Sequence, residues 1–307
     1  MTTTTILEAI QTGAKQLTAA KVGFGHGTAN AFDEAAWLVL WQLDLPLDSS
    51  LENPENDPDS VANLPVAGEF IDKLAILFNN RISSRKPAAY LTQEAWLQGI
   101  PFYIDERAIV PRSFIAELLA DGSFDDWLGP HTERVLDLCT GNGSLAVLAA
   151  MTYPDTRVVG ADISTDALAV ARINVDKHGL QDRIQLVESD SWAGLNEGGI
   201  GQVFDLVLCN PPYVNSASMA TLPAEYLAEP ALALAGGKDG MDFIRGLLAN
   251  APAHMSEHAV LVLEIGNERG FFDKAFPELD VVWLETSAGE DAVLLITKTA
   301  LDDVFSA

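Results

Sequence analysis

Before residue 90, apolar side chains recur at intervals of three and four. Ile6, Leu7, Ile10, Ala14 and Leu17 fall on one face of the segment 6–20. Phe32, Ala36, Trp37, Leu40 and Trp41 repeat the pattern over 31–43, where Asn30 is placed to cap the helix. Phe70, Ile71, Leu74, Leu77, Phe78 and Ile82 repeat it over 67–82. This spacing predicts amphipathic helices with one buried stripe each. Leu47 to Pro65, rich in Asp, Glu, Asn and Pro, carries no such period and predicts a solvated loop. The segment 1–86 is therefore expected to be a small helical domain, with Trp37 and Trp41 in its core.

The period then shortens. Ala89–Thr92, Ala95–Leu97, Phe102–Ile104 and Ala108–Val110 are brief apolar runs separated by turn residues such as Gly99 and Pro101. They predict a β-hairpin linker over 87–112. From residue 113 the two periods alternate. Helices are expected at 113–120, from Ser144, at 165–178 and at 242–251. Strands are expected at 134–138, 157–161, 184–188, 204–209 and 259–264, with an antiparallel pair at 281–284 and 292–297. Alternation of this kind predicts an α/β domain over 113–307, a mostly parallel sheet covered by helices on both faces.

Composition narrows the partners. Of 307 residues, 48% are hydrophobic, enough for a sizeable core, and no run reaches the roughly 18 apolar residues of a membrane span. The start lacks the basic and apolar regions of a secretory signal, and the only cysteines are Cys139 and Cys209. A soluble, cytoplasmic protein is expected. The net charge of −26 argues against general affinity for nucleic acid, where phosphate contacts drive binding. Such a charge attracts a basic protein substrate, and it equally serves solubility.

Candidate chemistry gathers where the predicted strands end. Val135–Leu138 runs into Cys139-Thr140-Gly141-Asn142-Gly143 and a helix from Ser144, a strand–glycine turn–helix unit. Glycines there permit positive φ and close approach of a ligand. Asp162 ends the next strand, where a carboxylate can accept both hydroxyls of a ribose. Asp190-Ser191-Trp192 follows the third strand, and an adenine could lie against the indole. The spacing Gly141-x-Gly143-x-x-Ala146 also fits a dinucleotide fingerprint. Asp137 within the motif leans away from that reading, toward a cationic ligand such as a sulfonium. Capping of the turn's own N–H groups explains Asp137 as well, and both remain open.

The sharpest signal is Asn210-Pro211-Pro212-Tyr213, after the apolar strand Phe204–Cys209. Two prolines remove backbone donors and force a stiff, extended exit from the sheet. Asn210 adds an amide oxygen, the Pro211 carbonyl a second acceptor, and Tyr213 a flat ring. These groups suit a planar NH₂-bearing target.

Together, Asp137, Thr140, Gly141, Asn142, Gly143, Asp162, Trp192 and Asn210–Tyr213 resemble the class I S-adenosylmethionine-dependent methyltransferases. Asn210–Tyr213 narrows the resemblance to those that methylate a planar nitrogen, the protein-glutamine N-methyltransferases and the DNA amino-methyltransferases. Val110-Pro111-Arg112-Ser113 and Leu222–Pro230, followed by Leu234–Gly240, resemble the glutamine family. The resemblance implies a Rossmann-like sheet with an antiparallel closing strand, and an N-terminal domain that recognises substrate. It also implies S-adenosylmethionine as cofactor. Asp137, Thr140, Gly141, Asn142, Gly143, Asp162, Trp192 and Asn210 would bind it, with Asn210, Pro211 and Tyr213 catalytic. Arg112-Ser113, Cys139 and the Leu-Pro-x-Glu-Tyr-x-x-Glu-Pro stretch look more like the branch acting on ribosomal large-subunit protein 3 than the release-factor branch. A DNA amino-methyltransferase, or a non-catalytic assembly factor that binds the cofactor, remains an alternative. No metal is expected. His254-Met255-Ser256-Glu257-His258 matches a zinc-peptidase pattern but lacks its context.

Overall fold

The computed structural model describes residues 4–51, 56–57, 59–196 and 203–305. The chain divides into two compact units, Met1–Glu94 with Pro223–Ala228, and Ala95–Leu222 with Glu229–Ala307.

The first unit is helical: α1 (Ile6–Ala19), α2 (Ala31–Gln42), α3 (Gly68–Ser84) and α4 (Ala88–Thr92). A capping box closes α1, with Glu8 N donating to Thr5 Oγ1 and Thr5 N to Glu8 Oε2. The Asn30 side chain accepts from Phe32 N and Asp33 N at the start of α2, as its sequence predicts. Ile10, Leu17, Leu38, Leu74 and Phe78 form the core, and Trp37 and Trp41 pack against it. Arg81 is fully buried; its Nε donates to Glu34 Oε1 at 2.8 Å, and its Nη2 to the Gly23 carbonyl at 2.9 Å. Glu225 accepts from Arg81 Nη1 and Arg85 Nη1, which fastens Pro223–Ala228 into this unit. Removing one partner from a buried cluster of this kind costs about 3–5 kcal/mol, because a charge is left stranded. The loop expected at 47–65 lies partly outside the described residues. Its described part includes a short 3₁₀ turn, Val61–Asn63, and Val66 N donates to Thr4 O.

Ala89–Thr92 departs from expectation, being helix rather than strand. Pro87 fixes the entry and Ala88–Leu91 are good helix formers, while Gln93 ends the turn at φ 55°. The hairpin itself is β1 (Glu94–Leu97) and β2 (Ile100–Tyr103). Ala108–Val110 is no strand either: the Val110 N–H donates to the Glu229 carboxylate, and the Ile109 carbonyl accepts from Asn142.

The second unit continues with α5 (Ile115–Asp121), β3 (Arg134–Leu138), α6 (Ser144–Thr152), β4 (Arg157–Asp162), α7 (Thr165–Lys177), β5 (Ile184–Glu188) and β6 (Phe204–Cys209). It closes with α8 (Ser216–Met219), α9 (Asp242–Asn250), β7 (Met255–Glu264), α10 (Arg269–Ala275), β8 (Val282–Thr286), β9 (Gly289–Thr297) and α11 (Lys298–Phe305). The sheet order is β5-β4-β3-β6-β7-β9-β8; β5 to β7 are parallel, and β9 runs antiparallel to β7 and β8. This is the expected α/β architecture. Neighbouring residues point to opposite faces. Val135, Leu206 and Val262 bury against α5 and α6, while Leu136, Val207 and Leu263 bury against α9 and α11. The hairpin packs on α7 through Phe102 and His178, whose rings meet at 5.4 Å. Chain order reverses between β3 and β6, and the carboxyl ends beside such a switch point are where open α/β sheets take ligands.

Candidate active site

A cavity of about 890 Å³, its open mouth included, lies over those strand ends. Every residue lining it belongs to the second unit.

Its floor is the glycine turn. Cys139, Gly141 and Gly143 all take positive φ, at 63°, 55° and 80°. A Cβ on Gly143 would stand 3.0 Å from the Ala171 Cβ, so helix α7 approaches because the side chain is absent. Most of the turn's polar groups are satisfied, but Asp137 Oδ1 is buried with no hydrogen-bond partner among the described residues. Thr140 N donates to Ala161 O, and Thr140 Oγ1 donates to Asp137 Oδ2 at 2.5 Å. Ala146 N donates to the same Asp137 oxygen at 2.9 Å. Asp137 is thus fully buried and caps the turn and the first turn of α6; it is not among the cavity-lining residues. Burial pushes its carboxyl up to about 7. Thr140 and Asn142 are buried scaffolding as well. Asn142 Nδ2 donates to Ile109 O, and its Oδ1 accepts from Ser144 N.

Asp162 faces the cavity. One carboxylate oxygen accepts from Gly141 N and the other from Ser164 N, both at 2.9 Å. Each oxygen keeps a further lone pair for a ligand hydroxyl. Burial raises its pKa. Beside it Ile163, 47% exposed, and Leu232, 61% exposed, line the same cavity with Phe243. Large apolar side chains left open next to a carboxylate make a cradle for a nucleoside: flat faces for a base, acceptors for a ribose. The residues present therefore fit the adenosine end of S-adenosylmethionine.

Trp192 is corrected. It is 5% exposed, stacks on His254 at 4.8 Å and 3°, and its Nε1 donates to Leu247 O at 3.1 Å. The cause is local. Ser191 takes φ 50°, Ser189 Oγ ties the Ser191 carbonyl and Gly194 N, and the turn drives the indole into the core. The cavity wall at this strand end is instead Ser189, Asp190 and Ser191. The same stack accounts for His254, while the His258 ring meets His131 at 5.4 Å.

Of the clamp, Asn210 and Pro212 line the cavity. Pro211 is buried, and Tyr213 is half-buried with its hydroxyl donating to Glu264 Oε1 at 3.2 Å. The turn is braced from behind: Val214 N donates to Leu234 O and Gly236 N to Val214 O, each at 2.9 Å. Asn215 Nδ2 donates to Glu268 Oε1 at 2.8 Å. Arg107 also lines the cavity, and Asp105 grips it through Nε and Nη2, which holds the Asp105 carboxyl at about 2.

Several of these contacts could not be read from the chain. Glu229 accepts both ends of the Arg112 guanidinium at 2.6 and 2.7 Å, which ties Val110–Arg112 to the segment carrying Pro230 and Leu232. Asn174 bonds the Tyr103 backbone through both side-chain ends and also the Asn142 carbonyl. These are polar side chains on helices or loops with no period to mark them. Ile163 did carry a signal, an apolar residue directly after a strand-end carboxylate.

Comparison with known proteins agrees with this geometry. Residues 117–238 match the family model described as methyltransferase small domain. A ribosomal protein uL3 glutamine methyltransferase of Bordetella pertussis is 47% identical over 97% of this chain and 96% of its own length. One from Burkholderia pseudomallei is also 47% identical, over 98% and 96%. One from Neisseria gonorrhoeae is 44% identical over 97% and 96%. Among the described residues, no helix is long and apolar enough to cross a membrane.

Proposed function

Because the chain belongs to the ribosomal protein uL3 glutamine methyltransferases, we propose that it moves a methyl group from S-adenosylmethionine to a glutamine side-chain nitrogen of uL3. The observation that carries the reading is the presence of Asn210 in the same cavity as Gly141 and Asp162. An acceptor for an amide and a cradle for the donor thus share one space.

A carboxamide nitrogen is a weak nucleophile because its lone pair is delocalised. Bound S-adenosylmethionine supplies a methyl group already activated on a cationic sulfur. The chain's task is then orientation. Asn210 Oδ1 and the Pro211 carbonyl each accept one N–H of the target amide, fixing its plane and aiming its nitrogen across the cavity. Orientation of this kind is worth effective molarities of about 10⁵ M or more. The same acceptors offset the positive charge that grows on nitrogen during attack. The methylated nitrogen is strongly acidic and loses its proton to water, so no side chain need act as base. Asp162 takes the ribose hydroxyls, while Ile163, Leu232 and Phe243 hold the base. Tyr213 completes the clamp, and the N-terminal helical unit recognises the polypeptide. Uptake of a basic ribosomal protein suits the net charge of −26 and supports a cytoplasmic reaction.

The test is incubation with labelled S-adenosylmethionine and purified uL3, a release factor or adenine-containing DNA. Label is expected on uL3. Label on the release factor alone would overturn the substrate, and label on DNA the substrate class.

A further inference from the structure

Arg112-Ser113 ends on two buried carboxylates. Arg112 meets Glu229, and Ser113 meets Glu264, the last residue of β7, which is 2% exposed. Glu264 Oε2 accepts from Ser113 Oγ at 2.6 Å and from Phe114 N at 2.9 Å. Its other oxygen accepts from the Tyr213 hydroxyl at 3.2 Å. Two donors on one oxygen fix the carboxylate plane and hence the direction in which Oε1 receives the phenol. The Tyr213 ring is held on a second side by Gly266, where a Cβ would stand 2.6 Å from the Tyr213 Cε2. Glu264, Ser113 and Tyr213 are not among the residues lining the cavity, yet Asn210 and Pro212, in the same stiff turn, are.

We propose that Glu264 is a positioning residue for methyl transfer: by holding Tyr213 against Gly266 it sets the angle at which Asn210 and the Pro211 carbonyl present their acceptors. This rests on the reading of Asn210–Tyr213 as an amide clamp. Burying a carboxylate is costly unless it is fully hydrogen-bonded. Here its donors come from Ser113-Phe114, at the entry to α5, and from the clamp, which makes Glu264 the point where the two are joined.

The chemistry predicts an ordered series. Glu264→Gln keeps all partners, because its amide oxygen accepts from Ser113 and Phe114 while its NH₂ donates to the Tyr213 oxygen. Glu264→Met keeps the volume and loses them. Tyr213→Phe removes the hydroxyl bond to Glu264 and leaves the Ser113 and Phe114 contacts intact, so it tests the idea even where Glu264→Met fails to fold. Hydrogen exchange of the 210–216 backbone is read first, with no acceptor protein present. Tyr213→Phe and Glu264→Met should speed it, and Glu264→Gln should not. Unchanged exchange in Tyr213→Phe would overturn the proposal independently of which substrate the enzyme methylates. In turnover, Tyr213→Phe should lower kcat about tenfold, the worth of one hydrogen bond. The KM for the polypeptide and the Kd for S-adenosylhomocysteine should stay within about threefold. Adding Tyr213→Phe to Glu264→Met should cost nothing further. Losses that multiply in the double variant would show that the two residues act separately and would end the proposal.

Discussion

The glycine turn at 139–143 and the clamp at 210–213 belong to one cavity, yet they are held differently. In the turn, most buried polar groups find partners nearby in the chain or on the next strand: Thr140 and Ala146 on Asp137, Ser144 on Asn142, Gly141 on Asp162; Asn142 reaches further, to Ile109 and Asn174. In the clamp, bracing comes from far along the chain. Tyr213 and Glu264 are 51 residues apart, and Asn215 and Glu268 are 53 apart. The cofactor end is thus a mostly local motif, while the substrate end is assembled by the fold. Damage to the first should show in donor binding, and damage to the second in turnover.

The largest expected effect lies in the clamp. Asn210→Ala should lower kcat by about 10³-fold or more, since both orientation and charge stabilisation are lost. S-adenosylhomocysteine binding, measured by calorimetry, should change little. Loss of binding without loss of turnover would reverse the comparison. Next is Asp162→Ala, which should weaken S-adenosylhomocysteine by about 10- to 100-fold through lost hydroxyl acceptors. Saturating donor should restore part of the rate.

A third test uses pH. The folded-state pKa of Asp137 is raised from 3.8 to about 7 by burial. Between those values the native state binds more protons than the unfolded chain. Stability from this group is therefore fully present below about pH 4 and is lost as pH rises through about 7, by at most about 4 kcal/mol. Asp137→Asn should abolish that slope, because it keeps an acceptor for Ala146 N and does not titrate. Parallel melting curves from pH 4 to 8 check this; identical slopes would mean that Asp137 stays ionised in the folded state. The smallest effect belongs to Trp192→Phe. It should cost about 1 kcal/mol of stability through the lost bond to Leu247 O, and leave donor affinity unaltered. A clear fall in affinity would put the indole back against the adenine.

The strands of the parallel sheet were legible because residues buried on both faces read as short apolar runs, Val135–Leu138 and Phe204–Cys209 among them. The glycine turn and Asp162 were legible because their constraints are local. Asp137 was ambiguous in sequence because a capping carboxylate and a ligand carboxylate need the same residue type; only burial separates them. Trp192 misled because a positive φ at Ser191 reverses the direction of the next side chain, and nothing in Ser-Asp-Ser-Trp announces it. Ala89–Thr92 misled because short apolar segments suit helix or strand equally, and Pro87 decided between them. The braces Glu264 and Glu268 were invisible, and Glu229 was legible only as part of a family-like stretch, since a buried Glu looks like a solvated one until its partner is brought from elsewhere in the chain.

The most direct test of the central claim is tandem mass spectrometry of uL3 after incubation with S-adenosylmethionine and either the wild-type protein or Asn210→Ala. One added methyl on the side-chain nitrogen of a single glutamine is expected with the wild type and none with the variant. A methyl on any other residue type, or equal methylation by Asn210→Ala, would contradict it.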